Sequence, residues 1–325
     1  MSIVARIDRY QREHSWSGLP LAVAYKVFDD RAPYLAALVT YYALVSLFPL
    51  MLLMLSVTGF VLDGYPGLRD QVITAAVDYF PAIGDQLRAN ISGFSGSGAA
   101  LAVGVVGTLY GALGVMQAAQ AAFNQMYGVP RNEQPNPFTS RLRSLGLVAL
   151  LGVAVLVSSL IASVLSFADS LPWSITALVQ VAGYALTWLL DVGLFTAGFQ
   201  LLTARDLKTH DVLTGGLLAG SVFMLLQVFG PQFVSAQANR GGALYGTFGV
   251  ILATIAYVYL QALAVMVAAE VNVVLHLRLW PRSLLTPFTD DVELTAGDRR
   301  AYSLYATAQR FKGFETVHAD FTRDP

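Results

Sequence analysis

The chain has 325 residues, of which 55% are apolar and 13% charged, with a mean hydropathy of +0.57 and a formal net charge of −1. Soluble domains carry about 25% charge, so this composition excludes a surface that faces water throughout, and the near-zero net charge excludes the global basic field that nucleic acid requires. Cysteine is absent, which excludes disulfides, thiolate catalysis and cysteine–zinc sites; the scattered His14, His210, His276 and His318 have no metal-motif spacing, so neither metal nor cofactor is expected.

Residues 1–32 carry Arg6, Asp8, Arg9, Arg12 and Glu13 ahead of any long apolar run, unlike a cleaved signal peptide. Two amphipathic stretches lie here, with Ile3, Ile7 and Tyr10 on one stripe and Leu21, Tyr25 and Phe28 on the other. They are expected to be helices resting on the inner membrane surface. Six apolar runs follow, at about 33–62, 99–126, 144–168, 173–203, 212–237 and 246–277, each long enough for the roughly 20 residues a bilayer needs. Only a helix satisfies its own backbone in hydrocarbon, and these runs lack the alternation of barrel strands. Between the first two, residues 64–98 place Leu68, Val72, Ala76 and Phe80, then Ile83, Leu87, Ile91 and Phe94, at helical spacing on either side of Pro81, the pattern of an outer helical hairpin. Residues 281–325 are polar and weakly periodic, and read as a partly disordered cytoplasmic tail. The expected fold class is therefore all-α: a six-helix transmembrane domain over residues 33–280, between interfacial helices at 1–32 and the tail.

Lys and Arg set the orientation. Seventeen fall on the side that holds both termini, and three (Arg69, Arg88 and Arg240) on the other. The positive-inside rule then places both ends in the cytoplasm.

Within the spans, Gly104, Gly107, Gly111 and Gly114 lie on one helical face, and Gly216 and Gly220 form a second small-residue pair; close helix packing is the expected role. Pro49 and Pro231 interrupt spans and are hinge candidates. Asp191 lies just past the middle of the fourth span, and Glu270 lies in the sixth, roughly 12 Å cytoplasmic of its midpoint at 1.5 Å per residue. Gln117, Gln120 and Asn124 form a stripe on the second span, and Gln227, Gln261, Asn272, Tyr41 and Tyr42 add further polar groups. Most of these lie at the midplane or in the cytoplasmic half. They suggest a polar cavity open to the cytoplasm, rimmed by Arg131, Arg141, Arg143, Arg205 and Lys208, a rim that favours anionic groups such as lipid headgroups. The competing reading of the amides is hydrogen-bonding between helices, at about 0.6 kcal/mol per bond. An intramembrane acid such as Asp191 is a functional candidate by default, whereas Glu270 is close enough to the interface to be solvated or paired with Arg278.

Three stretches carry a family resemblance: Ala37-Leu-Val-Thr-Tyr-Tyr-Ala-Leu-Val-Ser-Leu-Phe-Pro49, Ala122-Phe-Asn-Gln-Met-Tyr-Gly-Val-Pro-Arg131, and the run from Leu213-Thr-Gly-Gly through Leu244-Tyr-Gly-Thr-Phe-Gly249 to Ala269-Glu-Val-Asn272. Together they resemble the YihY/virulence factor BrkB family of bacterial inner-membrane proteins, over about residues 30–280. The resemblance implies a six-helix polytopic protein, with links to serum resistance and to the handling of lipopolysaccharide precursors. It also carries the label ribonuclease BN, but metal-dependent RNA hydrolysis needs clustered His and Asp ligands outside the membrane, and this sequence has none.

The expected function is transporter- or flippase-like handling of a lipid or other anionic amphiphile, with membrane lipids as partners and no nucleic acid. The alternative is an envelope scaffold that binds a second copy or another envelope protein. An enzyme is not expected, because no nucleophile–base pair can be read from the chain.

Overall fold

The computed structural model describes residues 3–61, 98–168 and 173–321. All regular structure there is helical: α1 (Ile3–Glu13), α2 (Ser15–Asp29), α3 (Ala32–Val61), α4 (Gly98–Met126), a short 3-10 turn (Arg131–Glu133), α5 (Pro137–Ala168), α6 (Trp173–Leu202), α7 (Thr209–Leu277) and α8 (Ala296–Ala308). Among the described residues, five segments are long and apolar enough to cross a membrane: Gly98–Met126, Pro137–Ser158, Thr176–Leu202, Thr209–Gly230 and Ile251–Leu277. Ala32–Leu47 is a shorter apolar helix. The expected outer hairpin lies outside the described residues, apart from Gly98.

Helix α5 begins earlier than its apolar run. Asn136 caps it, its Oδ1 accepting from the Thr139 amide at 2.8 Å, with Pro137 at the first helical position. That pairing satisfies an amide the helix itself cannot, so Arg141 and Arg143 sit on helix rather than loop.

Helix α7 holds two spans in 69 residues. Asn272 Oδ1 accepts from the Gly215 amide at 2.6 Å, and His276 Nδ1 lies 3.1 Å from Asp211 Oδ1. In a straight helix, residues 57 apart would be about 85 Å from each other. Tyr257 likewise packs on Gly230, and its hydroxyl donates to the Leu226 carbonyl at 3.1 Å. Within each compact unit described below, the two arms of α7 therefore pack antiparallel.

The chain divides into two compact units. The first is Met1–Leu35, Ala119–Met224 and Leu263–Pro325; the second is Ala36–Ala118 and Leu225–Ala262. In the second, α3 and α4 pack through the glycine face. Gly104, Gly107, Gly111 and Gly114 meet Leu53, Pro49, Ser46 and Tyr42, each so close that a β-carbon would overlap its neighbour. In the first unit, Gly216 and Gly220 pack in the same way on Thr196 and Val192 of α6. Without a hydrophobic driving force between helices in lipid, such contact is what dispersion and backbone approach require.

Residues 281–321 are not a loose appendage. Asp8 Oδ1 accepts from the Leu284 amide at 2.7 Å, Arg12 Nη2 donates to Ser283 Oγ at 3.1 Å, and Tyr25 donates to the Leu284 carbonyl at 2.6 Å. Thr295 caps α8, accepting from the Asp298 amide at 3.1 Å. The polar composition that reads as disorder is here consumed by capping and ion pairs.

Candidate functional site

The candidate site grows from the end of the last span. Val273 and Val274 are buried, as are Ala268, Ala269, Glu270 and Asn272, so most of this turn of α7 is enclosed. Into it comes α2. Gly18, Ala22 and Lys26 recur every fourth residue and are buried, as is Asp30 just beyond the helix end, whereas Phe28 is 75% exposed. Of the apolar stripe expected on α2, Leu21 and Tyr25 are half-buried and Phe28 is exposed, so the most buried face is the neighbouring one. Small residues let the helix approach, and the lysine stem fills the gap they leave.

Lys26 Nζ donates to the Met126 carbonyl at 2.8 Å, pairs with Asp30 one turn on, and lies 3.7 Å from Glu270 Oε2. Lys26 and Glu270 are fully buried. Neither Glu270 oxygen has a hydrogen-bond partner. Glu270 is therefore neither solvated nor paired with the exposed Arg278; its cation is Lys26. Gln125 Nε2 holds the Asp30 carbonyl at 2.9 Å, which ties the α2–α3 corner to α4. Burial pushes the Asp30 carboxyl above the usual carboxylate range, opposed by the Lys26 charge beside it. Breaking such a buried pair from one side typically costs about 3–5 kcal/mol, because a charge is left without its partner.

Two further buried polar atoms adjoin this cluster. Tyr127 is fully buried with its hydroxyl unpartnered, and Asn272 Nδ2 is unpartnered although its Oδ1 is bonded to Gly215. Burial raises the Tyr127 phenol well above its ordinary value, with the Asp211 and Glu270 charges adding and Arg205 opposing.

A second ionic layer lies outside the spans. Arg282 is almost completely buried; its Nε donates to Asp298 Oδ1 at 2.6 Å and its Nη2 lies 3.5 Å from Asp29. The guanidinium sits between the Tyr25 and Tyr302 rings, at 5.7 and 5.6 Å. Asp298 also accepts from the Ser283 and Thr295 amides, at 2.9 and 3.0 Å. Burial disfavours the Arg282 charge, but the bond and charge of Asp298 outweigh it and hold the pKa above the ordinary arginine value. Tyr305 joins the layers: its hydroxyl donates to Asp29 at 3.0 Å, and its ring lies 5.2 Å from Lys26 Nζ.

The other sequence candidates are dispersed. Gln120 Nε2 donates to the Ser140 carbonyl and to Ser144 Oγ, both at 3.0 Å, and Asn124 Oδ1 accepts from the Ala204 amide at 2.7 Å. Both are therefore engaged in joining neighbouring segments. Asp191, in the first unit, is half-buried with an unpartnered Oδ2. In the second unit Gln117, Gln227 and Tyr41 are exposed, Tyr42 stacks edge-on against Tyr41 at 5.3 Å, and Gln261 is half-buried. Pro49 fits against Gly107, while nothing is described of the Pro231 side chain. Arg131, Arg141, Arg143, Arg205 and Lys208 are all exposed in the first unit; Arg131 lies over Phe311 at 4.8 Å and Arg205 donates to the Tyr127 carbonyl at 2.9 Å. Among the described residues no group of three or more His, Asp or Glu side chains could hold a metal ion.

Comparison with known proteins identifies a family. The family model described as "Virulence factor BrkB" matches residues 23–287. The ribonuclease-like protein YfkH of Bacillus subtilis is 26% identical over 256 residues, covering 75% of this chain and 90% of YfkH. A UPF0761 membrane protein of Halorhodospira halophila is 25% identical over 78% of this chain, and another of Rhodospirillum centenum is 27% identical over 74%. The matches cover only 56% and 53% of those two relatives. No solved structure matches.

Proposed function

Because the chain belongs to the virulence factor BrkB family and resembles several proteins named as membrane proteins, we propose that it handles an anionic amphiphile, a lipid in the first instance, at the cytoplasmic face of the inner membrane. The observation that carries this reading is Glu270: a fully buried carboxylate in an apolar span, without a hydrogen bond, whose counter-charge arrives from a helix outside the spans. An apolar residue would fill that position at lower energy, so an ionisable group held there is a functional candidate. Exposed Arg131, Arg141, Arg143, Arg205 and Lys208, all in the same compact unit, supply cationic contacts for headgroups.

The proposed topology has six spans and cytoplasmic termini. Contacts between α1 and residues 282–284 support an even number of crossings, with the two ends on one side of the membrane. Five long segments and the shorter Ala32–Leu47 make six.

Leaflet exchange tests the reading. Purified protein is reconstituted into phosphatidylethanolamine–phosphatidylglycerol vesicles carrying fluorescent phosphatidylglycerol, and the fraction protected from an external quencher is followed with time. Exchange is expected several-fold faster than in protein-free vesicles, and slowed in Glu270→Gln and Asp191→Asn. Exchange no faster than in empty vesicles, with no phosphatidylglycerol retained in native mass spectra, would overturn it. The second reading, an envelope scaffold binding a copy of itself or another protein, draws on the glycine seams and on Gln120 and Asn124, all engaged in static helix packing. That negative result would favour it.

A further inference from the structure

The cluster at the end of α7 contains one ammonium and two carboxylates. Lys26 and Glu270 are fully buried, and Asp30 is nearly so. With all three ionised, the site would hold one uncompensated negative charge away from water, where no solvent lowers its energy. The remaining groups facing it do not supply a second cation. Tyr127, from the end of α4, is a neutral phenol kept protonated by burial. Tyr305, from α8, presents its ring to Lys26 and its hydroxyl to Asp29. Arg282 is committed to Asp298 and Asp29, and Arg205 reaches the Tyr127 backbone from the surface. Asp211 adjoins Tyr127 and lies 3.1 Å from His276 Nδ1. Both Glu270 oxygens are free of hydrogen bonds, leaving room for a proton on that carboxylate.

We propose that Lys26, Asp30 and Glu270 form a one-proton site: a single proton held between the two carboxylates leaves one ammonium matched by one carboxylate. On deprotonation the proton leaves for cytoplasmic water, and the triad carries a net charge of −1. That charge loosens α2, because Lys26 and Asp30, with Gln125, are the groups that fasten α2 to the bundle. The upward displacement of Asp30 by burial runs in the same direction. This inference does not depend on which substrate the protein handles; proton occupancy can be present whether or not lipid exchange is seen.

Infrared spectroscopy of the full chain in lipid nanodiscs tests it through the carbonyl band of a protonated carboxylic acid near neutral pH. The wild-type protein is expected to show the band, and Asp191→Asn to keep it. Asp30→Asn and Glu270→Gln are each expected to lose it, because either leaves one carboxylate facing one ammonium. Lys26→Met, with two carboxylates and no ammonium, is expected to gain intensity. Where a variant is not monodisperse, wild-type protein with carbon-13 in its glutamate carboxylates decides the matter. Glu13, Glu133, Glu293 and Glu315 all reach solvent, so a shifted acid band belongs to Glu270. No acid band in the wild type, a band that persists in both single variants, or one unmoved by the label overturns the proposal.

Discussion

Tyr127 shows how a single buried atom reports on its surroundings. Its hydroxyl is buried without a partner, and an unsatisfied buried hydroxyl costs about 1–3 kcal/mol. Tyr127→Phe is therefore expected to be neutral or mildly stabilising near neutral pH, read as an unchanged or raised unfolding midpoint in detergent. Alkaline behaviour separates the two chains further. Burial raises the folded phenol above its ordinary value, so the folded state holds this proton more tightly than the unfolded chain. The associated stability is fully present below about pH 10 and is lost as pH rises through the folded value; the phenylalanine variant should lose less over that range, and an identical alkaline decline in both proteins would contradict the assignment. At this scale the sequence was half legible. Glu270 and Asn272 stand out as polar residues inside an apolar run. Lys26 and Asp30 do not, because they lie at least 240 residues away, on and just beyond a helix whose apolar stripe marks an adjacent face. The readable signal was the four-residue recurrence of Gly18, Ala22, Lys26 and Asp30, since small residues allow the approach that lets a lysine be buried.

Helices were legible in proportion to their hydrophobic length. The apolar runs locate α3, α4, α5, α6 and both arms of α7, because lipid tolerates backbone only when it is internally bonded. The apolar run does not reveal the first turns of α5, although Asn136 followed by Pro137 is a readable start. Nor does hydrophobic length reveal α8, although Thr295 and Asp298 have the spacing of a capping box. The glycine face on α4 was legible as a packing seam, and its register with α3 supplies a test. At Gly111 a β-carbon would collide with the Ser46 side chain and lie 2.7 Å from its Cα, whereas Gly146 on α5 has nothing within 4 Å. Gly111→Ala is expected to destabilise by about 1–3 kcal/mol, the usual range for overpacking. Gly146→Ala should be neutral, or stabilising by up to about 1 kcal/mol through helix propensity. Thermal unfolding of both variants in one detergent compares them directly; equal midpoints would mean that α3 and α4 do not meet at this face.

At the scale of the whole chain, the two termini constrain the topology more firmly than any one span does. The C-terminal segment is bonded to α1 and α2 through Asp8, Arg12, Tyr25 and Asp29, and Arg310 pairs with Glu133 in the turn after α4. Elements that touch in this way occupy one aqueous compartment, which the proposed topology puts in the cytoplasm. Because the chain contains no cysteine, a single introduced thiol can be read without background. Gly313 has nothing within 4 Å of a would-be β-carbon, so Gly313→Cys should leave the fold intact while presenting a reactive group beside the tail. Ser95→Cys samples the connection between the first two spans, assigned to the outer side from its position in the sequence. In intact cells stripped of their outer membrane, an impermeant maleimide should label Ser95→Cys at once, and should reach Gly313→Cys only after the inner membrane is opened. Immediate labelling of Gly313→Cys would place the clustered ends outside and invert the topology, moving the Lys26–Glu270 site to the opposite face from the one on which cytoplasmic lipid handling depends.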